Sequence, residues 1–326
     1  MVDVALFGAA GYAGLELAKL LASHPGVRLA CAASDTHAGK TLDELTGMPA
    51  HRAIAFVTTD AAKQAAATCA AALLAVPPDA ATQIAGALGK QTKVVDLSHA
   101  FRAKPEVIYG LTSLFGHEVA AASLVANPGC YATAVITAAA PLVEHGLVTG
   151  DLVVSAGSGV TGAGRQAVEA MSLGEMYGEV RAYKVLRHQH VPEIELALSR
   201  VGQAGDFSGR VTMTTHLLPI ARGIFATLTV RLARAATTAE LVERYRAAYG
   251  DDPTVTLARS AEDVSLRRVV GTNQVVIGVE SDGRTAIVTV AIDNLLKGAA
   301  GQAMENMNLM LGLPRTAGLD HLARHA

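Results

Sequence analysis

The pattern of hydrophobic and polar positions changes character near residue 130. Before it, short apolar runs alternate with stretches whose apolar residues recur at helical spacing. Val2–Phe7 reads as a strand, and 15–23 as a helix with Leu15, Ala18, Leu21 and Ala22 on one face. Val27–Ala33, 72–76 and 93–97 read as further strands, the last two separated by a helix that Asp79 can cap. Such alternation predicts an α/β fold with a parallel sheet covered by helices on both faces. After Cys130 the runs lengthen and alternate. Residues 152–156 read as a strand before a Gly/Ser loop at 157–164, and 210–216 and 223–232 suit antiparallel strands. Residues 275–280 and 285–293 read as another pair, joined by Ser281-Asp282-Gly283. The stretch 296–311 is helical again. The expected organisation is a dinucleotide-binding domain over 1–129, joined by a C-terminal helical segment over 296–326, and a second α+β domain over 130–295.

The candidate chemistry sits where these elements meet. Gly8-Ala9-Ala10-Gly11-Tyr12-Ala13-Gly14 lies between the first strand and the first helix. Glycines there let the backbone turn tightly and approach a pyrophosphate at the helix N-terminus. The spacing GxxGxxG is a variant of the dinucleotide pattern, and a closely packed strand–turn–helix without a ligand is the rival reading. Ser34-Asp35-Thr36-His37-Ala38-Gly39-Lys40 follows the second strand. Asp35 there suits a free ribose 2′-hydroxyl and hence NAD, unless it only builds the loop. Ser34, Thr36, His37 and Lys40 can instead surround a 2′-phosphate.

Asn127-Pro128-Gly129-Cys130-Tyr131-Ala132-Thr133 places a cysteine at the head of an Ala-rich helix. The partial positive charge and free amides of a helix N-terminus favour a thiolate, which is a nucleophile able to take an acyl group. The alternative is a buried structural cysteine, the reading preferred for Cys31 and Cys69. His188 and His190, two apart, share a side if extended; one can serve as acid/base with Glu193 to orient it, and zinc binding is the rival. Arg102, after the strand end at Asp96, can hold a phosphate or carboxylate, or lie on the surface. The glycine loop at 155–165 offers amides to an anion or is a plain connection.

Composition narrows the classes. The 326 residues are 51% hydrophobic and 17% charged, with a net charge of -2, which describes a globular protein of two domains. No basic run or aromatic–basic interleaving points to nucleic acid, and no uninterrupted apolar stretch reaches a membrane span. The first residues lead straight into the glycine turn without an export signal, and three cysteines without paired spacing suit a reducing compartment, so a cytoplasmic protein is expected.

Eight segments in chain order carry a family resemblance: GAAGYAG at 8–14, DLS at 96–98 with Phe101-Arg102, YGL at 109–111, VANPGCYATA at 125–134, SGVTGAGR at 158–165, HQHVPEIE at 188–195, HLLPIARGIFAT at 216–227 and DNLLKGAAGQA at 293–303. The chain resembles the N-acetyl-γ-glutamyl-phosphate reductases of arginine biosynthesis over nearly its whole length. The resemblance implies an aspartate-semialdehyde-dehydrogenase-like fold, with a Rossmann domain and an α+β catalytic and dimerisation domain. It also implies NADPH as cofactor, an acyl-phosphate substrate, and a homodimer or homotetramer. Cys130 would then carry the acyl group, His190 act as acid/base with His188 and Glu193 in support, and Arg102, Ser98 and Asn127 bind the substrate, Arg102 at its phosphate. Gly8, Ala10, Gly11, Tyr12, Ala13, Ser34, Thr36 and Pro77 would hold the cofactor. Ser158, Gly159 and Gly162 would line its nicotinamide side, and Asn294 would touch the carboxamide. The chain departs from the family pattern at Asp35, which leaves NAD open, and at DLSHAFR, where the family has DLSADFR. It also has Gln189 between the two histidines, and lacks Pro-Glu after YGL. Alternatives are a related acyl phosphate of the aminoadipate type, a cysteine acyl-transferase or amidase without hydride transfer, and a nucleotide-bound regulatory module.

Overall fold

The computed structural model describes residues 1–89, 91–166, 168–201, 207 and 209–322. The end of the expected C-terminal segment, 323–326, lies outside the described residues. The chain divides into two units, Met1–Gly129 with Ala299–His321, and Cys130–Gly298 with Leu322.

The first unit is built on seven strands: β1 (Val2–Phe7), β2 (Val27–Ala33), β3 (Phe56–Val57), β4 (Ala71–Leu74), β5 (Lys93–Asp96), β6 (Ile108–Tyr109) and β7 (Leu124–Ala126). They are ordered β3-β2-β1-β4-β5-β7-β6, and every pairing is parallel. Parallel strands of this kind are covered on both faces, so they read as continuous apolar runs; Val4, Ala5, Leu6 and Phe7 of β1 are all fully buried. The helices are α1 (Tyr12–Ala22), α2 (Asp43–Thr46), α3 (Thr59–Ala66), α4 (Pro78–Ala87) and α5 (Thr112–Ala121). Strand order reverses at β1, which puts the ligand crevice of such a sheet at the carboxyl ends of β1 and β4. Asp79 does not cap α4. The helix opens on Pro78 with Pro77 at the cap position, and Asp79 sits within the first turn. Proline is suited to that start because its missing N–H would have no partner there.

The second unit holds a mixed sheet of β8 (Leu152–Ser158), β9 (Arg181–Tyr183), β10 (Val211–Leu217), β11 (Ile224–Thr237), β12 (Val255–Leu257) and β13 (Val275–Ile292). Its order is β12-β13-β11-β8-β10-β9. The alternating runs β10 and β11 do not pair with each other. Strand β8 lies between them, parallel to β10 and antiparallel to β11. Nor is there a hairpin at 281–283. That segment is the middle of one long strand, β13, and Asp282 and Gly283 pair with Thr237 and Ala236 of β11 across a register shift. Asp282 accepts the amides of Arg284 and Thr285, while Gly283 takes φ +95°, so the Ser-Asp-Gly signal is spent on a kink rather than a reversal.

Against this sheet pack α6 (Cys130–Glu144), α8 (Val191–Ser199) and α9 (Thr238–Tyr249), with α7 (Leu173–Met176) in the connection before β9. Helix α6 is buried from Tyr131 through Val143. Pro141 within it has no N–H to give the Thr137 carbonyl. The Tyr249 hydroxyl of α9 donates to that carbonyl at 2.8 Å, and Tyr245 donates to Ala138 at 2.5 Å. A buried carbonyl left without such a donor would cost about 1–3 kcal/mol.

The chain re-enters the first unit through a wide turn at Leu296–Ala300 and continues into α10 (Gly301–Met310). No helix among the described residues is long and apolar enough to cross a membrane. Helix α10 is unusual in burying Gln302, Glu305, Asn306 and Asn308 completely. Asn308 Oδ1 meets His24 Nε2 at 2.9 Å, and its Nδ2 donates to the carbonyls of Arg315 and Ala317. His24 Nδ1 accepts the amides of Gly26 and Val27, so the ring is neutral with its proton on Nε2. Burial, opposed by the Asn308 bond, lowers the pKa of His24. The neutral ring is therefore favoured by folding: its contribution is present above the unfolded value of about 6.5 and is lost as pH falls below it. Urea unfolding should show stability falling as pH drops below about 6.5, and His24→Asn, which keeps an acceptor for the two amides, should flatten that slope. An unchanged slope would remove His24 as its source.

Candidate active site

In the first unit the glycine turn follows β1. Gly8 takes φ +75°, and a Cβ on it would lie 2.1 Å from the Ala75 carbonyl oxygen. A Cβ on Gly14 would lie 2.2 Å from the Gly8 oxygen, so only glycines allow this strand–helix approach. Gly11 is the N-cap of α1 and contributes no side chain to its first amides. Ala10, Tyr12 and Ala13 complete a turn whose helix head offers N–H groups and positive dipole to an anion. A pyrophosphate fits that donor set. Pro77 ends the neighbouring strand connection, as the cap residue of α4.

Beyond β2, Asp35 is bonded within the first unit to Thr59. Its two carboxylate oxygens accept from the amide and hydroxyl of Thr59, at 2.7 and 2.8 Å, and these bonds lower its pKa. Ser34, Thr36 and His37 instead form one polar cluster, with Oγ to Oγ1 at 3.3 Å and His37 Nδ1 at 3.2 and 2.8 Å from the two hydroxyls.

The loop after β5 is organised by Asp96, which is fully buried. Its carboxylate accepts the amide and the hydroxyl of Ser98, and Ser98 Oγ in turn accepts the Ala100 amide. Burial raises the Asp96 pKa against these bonds and the nearby Arg102 and His99 charges. Ser98 thus spends its hydroxyl within its own loop. Arg102 donates from Nε to the Asn127 carbonyl at 2.8 Å and from Nη2 to the Leu97 carbonyl at 2.5 Å. The side chain of Asn127 is engaged at both ends, accepting from Asn306 and donating to Ala299. Within this unit, then, Ser98 and Asn127 build the support on which Arg102 is held.

In the second unit Cys130 is the first residue of α6 and is partly accessible, whereas Cys31 and Cys69 of the first unit are buried. Burial, helped by Cys69, pushes the Cys31 thiol up to about 11. A Cβ on Gly298 would come within 2.8 Å of Cys130 Cβ, so that glycine leaves the cysteine its room. Tyr131, the next residue, stacks edge-on against His188 at 5.2 Å and His190 at 6.2 Å, and the two imidazoles are 4.7 Å apart. Tyr183 at the end of β9 also meets His188, at 5.9 Å, and donates its hydroxyl to Tyr131 at 3.1 Å. Burial, and then the neighbouring phenol, pushes Tyr131 far up, while burial takes Tyr183 to about 12; a charge on Cys130 raises both. Both phenols are therefore neutral hydroxyls.

The two histidines differ. His188 Nδ1 accepts the backbone amide of His190 at 3.2 Å, and burial, assisted by Lys184, lowers its pKa to about 4. It is a neutral ring. His190 caps α8, with its Nε2 3.9 Å from Glu193 Oε1, both residues being buried. Lys184 and Leu186 take positive φ, at 48° and 57°, in the segment that brings Tyr183 and His188 together. Backbone conformations of that kind are strained for residues with a side chain and collect at functional sites. Among the described residues no group of His, Cys, Asp and Glu is arranged to hold a metal ion.

The loop after β8 is also fixed. Ser158 Oγ donates to the Gly159 carbonyl, a Cβ on Gly159 would strike the Ala221 carbonyl at 2.6 Å, and one on Gly162 would lie 3.2 Å from Ser158 Oγ. Asn294 accepts the Gly223 amide at 2.7 Å and donates to Thr161 Oγ1 at 3.0 Å. Sequence reasoning did not single out Tyr131 and Tyr183 as site residues. Tyr131 borders the cysteine and Tyr183 lies five residues before His188, but tyrosine has no spacing rule that separates a packed phenol from a functional one.

Comparison with known proteins identifies the lineage. The semialdehyde dehydrogenase NAD binding domain matches residues 3–122, and the semialdehyde dehydrogenase dimerisation domain matches residues 130–294. The N-acetyl-γ-glutamyl-phosphate reductase of Geobacillus stearothermophilus is 38% identical over 99% of each chain. That of Chlorobaculum tepidum is 39% identical over 98% of this chain and 97% of its own. A probable chloroplastic N-acetyl-γ-glutamyl-phosphate reductase of Arabidopsis thaliana is 36% identical over 98% of this chain and 84% of its own. Among solved structures, aspartate semialdehyde dehydrogenase II from Vibrio cholerae superposes with a TM-score of 0.77 at 16% identity, over 96% of this chain and 98% of that one. The Candida albicans aspartate semialdehyde dehydrogenase with NADP gives 0.74 at 14% identity, over 96% and 99%. A Rossmann-like unit, a mixed-sheet unit and full-length relatives above one-third identity place this chain in the semialdehyde dehydrogenase family, among the N-acetyl-γ-glutamyl-phosphate reductases: it is a nicotinamide-dependent oxidoreductase.

Proposed function

We propose that the protein reduces N-acetyl-γ-glutamyl phosphate to N-acetylglutamate semialdehyde and phosphate, with NADPH, in arginine biosynthesis. The observation that carries this reading is Cys130, partly accessible at the head of a buried helix whose next residue, Tyr131, packs against His188 and His190 and is bonded to Tyr183. The names of the full-length relatives supply the acyl group. Cys130 Sγ attacks the γ-carbonyl carbon and the phosphate leaves, which forms a thioester. His190 takes the thiol proton, and Glu193 orients the ring and offsets the charge it acquires. Neutral His188 supports His190 by packing and by accepting its amide. When bound, the nicotinamide supplies the hydride that brings the acyl carbon to the aldehyde level. The tetrahedral hemithioacetal then collapses, and His190 returns the proton to the departing sulfur. Amides near the α6 N-terminus would stabilise the oxyanion, each worth about 3 kcal/mol in the transition state. Arg102 serves the substrate phosphate. A homodimer is the assembly this reading favours, given the dimerisation-domain match.

For the cofactor, the Gly8–Ala13 turn is proposed to hold the pyrophosphate, with Pro77 beside the neighbouring strand end and Ser158, Gly159, Gly162 and Asn294 toward the nicotinamide. The Ser34, Thr36 and His37 cluster favours a 2′-phosphate, and the engagement of Asp35 by Thr59 weighs against NAD.

Cys130→Ser should abolish phosphate-dependent oxidation of the semialdehyde while NADPH still binds, as read by nucleotide fluorescence; near-normal turnover would sink the thioester. His190→Asn should lower kcat by about 10²–10⁴. A loss confined to KM would make it a binding residue. Ser34→Asp should cut kcat/KM for NADP by about tenfold or more relative to NAD, the scale of a lost charge-assisted hydrogen bond. Asp35→Asn should leave that ratio within about threefold. A collapse of the ratio with Asp35→Asn would return the ribose contact to Asp35.

A further inference from the structure

Four polar side chains of α10 are fully buried, and one of them acts on the arginine of the proposed phosphate site. Asn306 donates from Nδ2 to Asn127 Oδ1 at 2.9 Å. Asn127, also fully buried, gives its own Nδ2 to the Ala299 carbonyl at 3.3 Å and its backbone amide to the Asp96 carbonyl at 2.8 Å. Amide, side-chain oxygen and side-chain nitrogen are thereby all fixed, and they set the direction of the one remaining polar group, the Asn127 carbonyl. That carbonyl accepts Arg102 Nε at 2.8 Å. Two links therefore run from α10 to the guanidinium, Asn306 to Asn127 and Asn127 to Arg102.

Asn306 is only partly satisfied. Its Oδ1 is buried without a hydrogen-bond partner among the described residues, a desolvation cost set against the bond that its Nδ2 gives Asn127. The surroundings are nevertheless shaped to keep it. A Cβ on Gly110 would come within 2.3 Å of Asn306 Nδ2 and 2.6 Å of Val125 Cγ1. Gly110, in the Tyr-Gly-Leu segment for which the mechanism has no use, leaves the room through which Asn306 reaches Asn127. Locally unfavourable groups retained in this way belong with function more often than with folding.

We infer that Asn306 is a positioning residue for recognition of the anionic phosphate group, acting through Asn127 to aim the Arg102 guanidinium. The inference rests on the proposed role of Arg102. Asn306→Leu keeps the volume. It removes the orphaned Asn306 oxygen and leaves the Asn127 oxygen orphaned in its place, so the number of unsatisfied acceptors, and with it the melting temperature, stays close to wild type.

The test follows phosphate-dependent oxidation of N-acetylglutamate semialdehyde with orthophosphate as the varied substrate. Asn306→Leu should raise KM for phosphate about tenfold, the scale of one misaligned charge-assisted hydrogen bond, with KM for NADP unchanged. In an Arg102→Lys background it should add less than about twofold, because the group it aims is gone. Gln302→Leu, on the same helix as Asn306, removes a bond to Thr112 of α5 rather than to Asn127, and should leave KM for phosphate unchanged. A second measurement needs no turnover. Hydrogen exchange at Arg102 Nε, assigned by its loss in Arg102→Lys, should be at least about tenfold faster in Asn306→Leu, since its acceptor is no longer held. Absence of turnover by wild type with this semialdehyde would overturn the functional reading and leave the exchange rate to decide the inference alone. An unchanged exchange rate, an unchanged phosphate KM in an active enzyme, or a full additional loss in the Arg102→Lys background would each overturn the inference. If Asn306→Leu does not fold, Asn306→Ser is read by the same measurements.

Discussion

The second unit depends on a helix that has no solvent face. Because α6 is buried from Tyr131 through Val143, its residues must be small or well packed, and every carbonyl must find a donor inside the protein. The run of alanines meets the first condition. Pro141 breaks the second at Thr137, and the Tyr249 hydroxyl from α9 repairs it. A helix held this firmly presents its first residue in one place. Cys130 is that residue, so the nucleophile stands on a rigid element, and the room around it is set by Gly298. Tyr131 then carries the consequence outward, since its ring is the surface against which His188 and His190 pack.

The first unit solves a different problem, that of holding polar groups at the ends of a parallel sheet. Its strands are apolar on both faces and end in loops whose polar groups largely satisfy one another. Asp96 holds Ser98, Ser98 holds Ala100, and Asn127 and Leu97 hold Arg102. The expectation that Ser98 and Asn127 touch substrate came from their presence in motifs. Their hydrogen bonds give them another reason to be in those motifs: they tie together the segment that carries Arg102 and the carbonyl it meets.

Much of the fold was legible because the physics is local. The limits of β1 and β2 follow from apolar runs between turn residues, and the strand–glycine–helix order followed directly from GAAGYAG. The second sheet was less legible. Alternation marks a strand but does not name its neighbour, so β8 lies unforeseen between β10 and β11. Ser281-Asp282-Gly283 satisfies the local rule for a turn, and pairing with β11 at Asp282, Gly283 and the residues that follow overrides that rule.

The sequence by itself determined a nucleotide turn, an accessible-cysteine candidate at a helix start and a histidine pair, because each depends on residues within a few positions of one another. The tertiary structure alone decided what those residues face. Asp35 turns to Thr59 twenty-four positions away, Tyr183 meets Tyr131 across fifty-two, and Asn306 reaches Asn127 across one hundred and seventy-nine. Hydrogen bonds of that span carry no periodic signal along the chain. They form only once the backbone has brought their ends together, and burial then makes leaving them unmade costly.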